Sequence, residues 1–262
     1  EYGWVRAAGS AAFILGTLAA GQSIGRAGLG IIVWLNAGLL AVGAGFAWVI
    51  PNRVAGSTVS EGIPAGSTRT LLRLPMFGRL MVVAALIGGS HALHDGFEVI
   101  RWRSAGLSPA EASVLWSLSV SAEVVVFLFL GRHLLNRLGP RRAMLLAAIA
   151  GVIRWGTAAQ TAWFPVMAMV EPLHGLTFAL LHLSCVTMIG RIVPTNLAAT
   201  AQAFYATVAM GAASAAVTLA AGPLYEHLGA AAFWVMAAMC AVALPVALGL
   251  NVPAEPGERL KK

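Results

Sequence analysis

Charge is what this sequence has least of. Of its 262 residues only 10% are Asp, Glu, Lys or Arg, while 59% are hydrophobic. A water-soluble domain carries about a quarter charged residues, so an ordinary soluble globule is excluded. Cysteine is scarcer still: Cys185 and Cys240 both lie inside apolar runs. A disulfide framework or a thiolate metal site is therefore not expected, and both read as small buried packers. Nucleotide-binding loops are absent, because there is no G-x-x-x-x-G-K-[ST], and Gly43-Ala44-Gly45 lies inside an apolar run without a third glycine. No cofactor is implied, and work done by this chain would draw on an ion gradient rather than on ATP. No signal peptide is visible; the chain opens at Glu1 without a methionine and soon enters an apolar run, as a sequence truncated at its N-terminus would.

What is present is apolar sequence in long blocks, with a mean hydropathy of +0.81. Crossing a hydrocarbon core of ~30 Å takes roughly 20 helical residues. Eight blocks are long enough, near 5–24, 30–50, 79–101, 111–131, 143–161, 165–189, 199–221 and 230–250. They are continuous and rich in Leu, Ala and Val, without the two-residue alternation of a lipid-facing strand, so helices are expected. The reading is an all-α, polytopic membrane protein. The longest polar interruption, 51–75, is rich in Gly, Ser, Thr and Pro and reads as a flexible linker between two bundles. Gly16-x-x-x-Ala20 and Gly211-x-x-x-Ala215 have the spacing of close helix packing, which an alanine-rich chain also produces without a specific interface.

The basic residues set an orientation. Arg6, Arg53, Arg69, Arg73, Arg79, Arg132, Arg137, Arg141, Arg142, Arg191, Arg259, Lys261 and Lys262 fall on one side of the eight-span arrangement, and only Arg26, Arg101 and Arg103 on the other. By the positive-inside rule the linker and both chain ends face the cytoplasm. The net charge of +7 is thus a topology signal in short loops. It forms no solvated basic face for nucleic acid.

Ionisable side chains in mid-membrane cost roughly 3 kcal/mol each on insertion scales and call for a reason. Counting along the spans, Glu123, Arg154, Glu171 and His174 come close to the midplane on three successive helices. Glu171, His174 and His182 fall within an arc of about 80° when wound as an α-helix, and Pro172 invites a kink beside Glu171. In the third span His91, His94, Asp95 and Glu98 share one face, with Arg101 the expected partner of Glu98. Two carboxylates, an arginine and two histidines converging in lipid point to proton carriage and binding of a polar substrate. Ion pairs that only tie helices together are the other reading of the same residues. A metal bound by His91, His94 and Asp95 stays open as well, although the spacing is not H-E-x-x-H and no metal site is expected.

The stretch Gly131-Arg132-His133-Leu134-Leu135-Asn136-Arg137-Leu138-Gly139-Pro140-Arg141-Arg142 resembles the cytoplasmic basic loop of the major facilitator superfamily. Tyr2–Ser10 resembles the start of the fifth helix in its phenylpropionate permease branch. So do Ser119–Val124, Val152-Ile153-Arg154-Trp155, Leu173–Phe178, Gln202–Ala206 and Phe233–Ala237 at later positions. The resemblance covers nearly the whole chain. It implies helices five to twelve of a twelve-helix carrier: 1–50 the last two helices of the N-terminal bundle, 51–75 the central cytoplasmic linker, 76–252 the C-terminal six-helix bundle and 253–262 a cytoplasmic tail. The four preceding helices would be a partner segment of the same protein.

The branch is similar to lactose permease, in which a carboxylate, an arginine and a histidine on helices eight to ten couple protons to sugar. That implies proton-coupled import of a small organic solute (an aromatic acid, a sugar or a nucleoside) across the cytoplasmic membrane. Glu123 and Arg154 would form the central pair, and Glu171 with His174 would take up and release the proton. Gly131, Arg137, Gly139, Arg141 and Arg142 would gate the cytoplasmic side. His91, His94 and Asp95 depart from the aromatic residues the branch leads one to expect. A proton-driven exporter and, from another class, an intramembrane metal enzyme are the alternatives.

Overall fold

The computed structural model describes residues 2–49 and 67–250. Among these residues all regular structure is helical. In chain order the α-helices are α1 (Tyr2–Ala27), α2 (Ile31–Val49), α3 (Ser67–Leu72), α4 (Pro75–Gly89), α5 (His91–Ser104), α6 (Pro109–Val125) and α7 (Gly131–Gln160). They continue with α8 (Phe164–Val170), α9 (Leu181–Ile192), α10 (Ala198–Phe204), α11 (Ala213–Leu228) and α12 (Phe233–Leu248). Wider π-helical turns are inserted at Val126–Leu130, Gly175–Leu180 and Tyr205–Ala212.

Five uninterrupted helical stretches among the described residues are long and apolar enough to cross a bilayer: Ile31–Trp48, Pro75–Ser104, Pro109–Gln160, Phe164–Ile192 and Thr195–Leu248. The third and fifth run to 52 and 54 residues. As straight helices they would measure roughly 80 Å, more than twice the hydrocarbon thickness. Each contains a glycine in the left-handed region, Gly139 at φ 73° and Gly229 at φ 56°, where a side chain would strain the backbone. Pro140 follows the first of them. The basic stretch 131–142 is thus not the twelve-residue loop expected from sequence. Its first residues continue the preceding helix and the break is confined to Gly139, because Arg, His, Leu and Asn before it are compatible with helix.

The linker also differs in part. Residues 51–66 lie outside the described residues, but Ser67–Leu72 is a short helix whose Leu71 is fully buried. The flexible reading of 51–75 therefore fails at its C-terminal end, where an apolar side chain anchors this short helix to the core. The third span is two helices meeting at Ser90, whose backbone stays helical (φ −61°, ψ −16°). Its hydroxyl donates to Ile87 O and accepts from the buried Trp155 indole.

The core sits where α4, α5, α7, α9, α11 and α12 meet, around fully buried Phe77, Trp102, Trp155 and Phe233. Small residues set the spacing. A Cβ on Gly151 of α7 would meet Cys240 Sγ of α12 at 2.5 Å. Both cysteines are buried free thiols, as their setting in the sequence suggested. The closest approaches occur at Gly21, Gly88, Gly131, Gly151 and Gly175; of the Gly-x-x-x-Ala motifs, Gly16 has nothing within 4 Å of a Cβ and Gly211 meets only Ala206 O, five residues back, at 3.3 Å. α1 packs on α6, with Gly21 against Ser113 and Pro109 O. The apolar window of α2 is wholly unburied, with Trp48 95% exposed, a surface suited to lipid or to further helices. α6 opens with a capping box, Ser108 and Glu111 satisfying each other's backbone N–H.

Candidate functional site

Four helical segments bring polar side chains to one point in the bundle. Pro172 lacks an N–H, and the chain around it tightens into a 3₁₀ turn at Glu171–Leu173 before widening into the π-helical turn. This places Glu171 and His174 facing α6 and α7. Gly175 permits the approach, since a Cβ there would lie 2.6 Å from Ala122 O of α6.

Arg154 of α7 is fully buried. Its Nη2 donates to Glu171 Oε2 at 2.7 Å and lies 3.1 Å from His94 Nε2, while Nη1 is 3.1 Å from His174 Nδ1. The guanidinium also lies over the Trp155 ring, 4.5 Å from its centroid, a cation–π contact. The same Glu171 oxygen accepts from the Ser119 hydroxyl. Glu171 Oε1 and Arg154 Nε are buried without hydrogen-bond partners among the described residues. The centre of the network therefore keeps one free acceptor and one free donor.

The sequence suggested Glu123 as the central partner of Arg154; the guanidinium makes a close ion pair with Glu171, at 2.7 Å. Glu123 faces His174, Oε2 to Nε2 at 3.6 Å. Both carboxylates lie at mid-span on helices next to α7, so depth alone could not choose between them. The 3₁₀ turn decides by swinging Glu171 onto the guanidinium.

His91, His94 and Asp95 of α5 join the same region. His91 Nδ1 lies 3.1 Å from Ile87 O, so it carries the proton and donates; Nε2 lies 3.0 Å from Thr177 Oγ1. His91 thus stitches α5 to the π-helical turn. His94 Nδ1 lies 3.3 Å from Asp95 Oδ1. Asp95 is 59% exposed although His94 is 3% exposed. Among the described residues no three His, Cys, Asp or Glu side chains converge as metal ligands would.

Two expected members sit elsewhere. His182 contacts Tyr205 Oη at 3.2 Å and the Phe127 ring, away from Arg154. The intervening π-helical turn winds less per residue than an α-helix, which voids the shared-arc argument. Glu98 pairs with Arg101 at 3.5 Å as their spacing predicted, and Arg101 also donates to Thr161 O. Of the basic stretch, Gly131 is buried against Leu183 and Val126 O, and Arg137 and Arg142 are exposed. None of these residues reaches the central network.

A cavity of about 330 Å³ opens beside the network, a size suited to a small organic molecule. His91, His94, Asp95 and His174 line it together with Trp116 and Phe178. Ser119 and Trp116 were not singled out from sequence. Their spacing to Glu123, one and two helical turns earlier, was the available signal.

Comparison with known proteins agrees with this architecture. The chain is 35% identical over 246 residues to a protein of Escherichia coli (strain K12) named "Probable 3-phenylpropionic acid transporter", covering 94% of this chain and 63% of that protein. It is 24% identical over 244 residues to the maltose permease of Geobacillus stearothermophilus, covering 92% of this chain and 61% of the permease. The chain thus spans about three-fifths of the length of the curated relatives it matches. A family model described as "MFS_1 like family" matches residues 1–236. With nine-tenths of its length inside that match, and with its apolar helices and buried polar centre, the chain belongs to the MFS_1-like family of the major facilitator superfamily.

Proposed function

We propose that this chain forms the larger part of a proton-coupled secondary carrier that imports a small aromatic acid by alternating access. The observation that carries the reading is the buried Arg154–Glu171 pair, flanked by His94 and His174 and opening on a cavity of about 330 Å³. Charge of this kind is costly in lipid unless it serves a substrate or an ion. The Trp116 and Phe178 rings on the cavity wall favour an aromatic solute. The named specificity of the Escherichia coli relative supports the same class.

In this reading the chain makes eight spans, helices five to twelve of a twelve-helix carrier. The breaks at Gly139 and Gly229 divide the two longest stretches into two crossings each, and α1 supplies the remaining one. Residues 1–50 then close an N-terminal bundle, 51–75 link the halves in the cytoplasm, and 76–252 form the C-terminal bundle. Residues 253–262 trail into the cytoplasm, and the protein resides in the cytoplasmic membrane. Gly131, Arg137, Gly139, Arg141 and Arg142 border the cytoplasmic mouth as gating residues. Other bundle helices supply the opposite wall of the cavity.

The test is uptake of radiolabelled 3-phenylpropionate by liposomes holding the protein as its complete gene encodes it. An inwardly directed proton gradient should drive accumulation above the external concentration, and an ionophore should collapse it. Accumulation that is indifferent to the gradient, or none for aromatic acids, would overturn the proposal.

A further inference from the structure

The His94 imidazole faces three charged groups at once. Its Nε2 lies 3.1 Å from Arg154 Nη2 and 3.3 Å from Glu171 Oε2, and its Nδ1 lies 3.3 Å from Asp95 Oδ1. Nε2 can satisfy only one of its two neighbours at a time. Unprotonated, it accepts from the guanidinium and has nothing to give the carboxylate. Protonated, it donates to the carboxylate and turns an N–H toward another N–H. Nδ1 has no such conflict, because its proton donates to Asp95 in both states.

Rotation does not relieve the conflict. The ring is stacked on Trp116 at 4.8 Å with the planes 20° apart, and the rings of Trp102 and Trp155 lie at 6.0 and 5.6 Å. His94 also lines the cavity, so water can reach it. The other ionisable neighbours are Glu98 and His91 one turn away on α5, and His174 across from them. In this region Arg154 is the permanent cation set against the carboxylates of Glu171, Asp95 and Glu123. Protons on histidine are what can balance the remainder.

We infer that His94 takes up a proton from the cavity at Nε2 and that this exchanges its partner, Arg154 when neutral and Glu171 when charged. The role in coupling rests on the carrier reading above; the exchange of partners rests on the geometry alone. One N–H bond forms on Nε2, with the proton supplied by cavity water, and the same bond breaks on release. On uptake Arg154 keeps Glu171 and His174 but loses His94, while Glu171 gains a donor. Uptake thereby ties α5 to the turn at Glu171–Leu173 and loosens its tie to α7. Asp95 acts through His94 as a positioning residue that holds the Nδ1–H tautomer and leaves Nε2 as the accepting atom.

Nitrogen NMR of histidine-labelled protein in liposomes, followed across the neutral pH range, reads this directly. The imidazole signal that disappears in His94→Gln, and it alone, should pass from neutral to doubly protonated in the unaltered protein. Asp95→Asn should shift its tautomer balance, and Asp95→Glu should restore it. His94→Gln should also lose gradient-driven accumulation of 3-phenylpropionate relative to exchange. A His94 signal that keeps one protonation state throughout would overturn the inference whatever the transport result. If His94 titrates with the exchange of partners but the unaltered protein accumulates nothing, the carrier reading falls and the proton site stands. Accumulation that survives in His94→Gln would overturn the coupling role while leaving the carrier reading in place.

Discussion

Arg154 and Glu171 are 0% and 1% exposed at the side chain, with Nη2 and Oε2 2.7 Å apart. Breaking a buried pair by removing one partner costs about 3–5 kcal/mol, whereas removing both is often close to neutral. Arg154→Met is the cleaner single change, since it keeps some packing on Trp155. It leaves Glu171 with the Ser119 hydroxyl and His94 still within reach of Oε2, so the loss should fall near the lower bound, about 3 kcal/mol. Glu171→Gln in the same background removes the stranded charge and should recover most of that loss. Glu123→Gln in the same background should recover little, because the carboxylate closely paired with the guanidinium is that of Glu171, while Glu123 lies against His174. Thermal unfolding of the purified variants in detergent provides the comparison. The reasoning is refuted if Glu123→Gln rescues Arg154→Met as well as Glu171→Gln does, or if Arg154→Met is no less stable than the unaltered protein.

Two further outcomes follow from packing and topology. Gly175→Ala would push a methyl group against Ala122 O, 2.6 Å from the position of its Cβ; folded yield should fall sharply, while Gly190→Ala, with nothing within 4 Å, should be tolerated, and equal yields would show that this close approach is dispensable. Cys185 and Cys240 are fully buried, so an impermeant maleimide should not label the native protein; Asn136→Cys should be labelled in inside-out vesicles and not in intact cells, and labelling from outside would reverse the orientation.

The membrane class and the positions of the apolar blocks were legible because lipid leaves little freedom: a span must be apolar and long. Glu98 with Arg101 was equally legible, since partners three residues apart on one helix meet whatever the tertiary fold does. Arg154 was different. Its depth could be counted from the sequence, but its partner depended on which way Glu171 points. That direction is set by a 3₁₀ turn followed by a π-helical turn within ten residues. Pro172 signalled an irregularity there without specifying it. The convergence of His94 on Arg154 was hidden for a related reason: α5 and α7 both pack against α12, which no local pattern encodes. The break at Gly139 was hinted by Gly-Pro, yet the basic residues before it looked like loop because loops and helix ends share the same arginines.

The π-helical turn at Gly175–Leu180 also bears on how such a chain can change over evolutionary time. A π turn holds more residues than the α turn it replaces, so it is a site where a transmembrane segment can gain or lose a single residue without losing its helical character. Because each residue of the π turn winds less than an α residue, deleting one there would let the turn close to α winding and leave everything beyond it facing nearly as before relative to Glu171 and His174. His182, directed at Tyr205, would keep that direction, and the polar centre would stay in place. Single-residue gaps in related sequences are therefore expected inside this segment, in hydrocarbon, where an alignment would ordinarily be forced to run without a break.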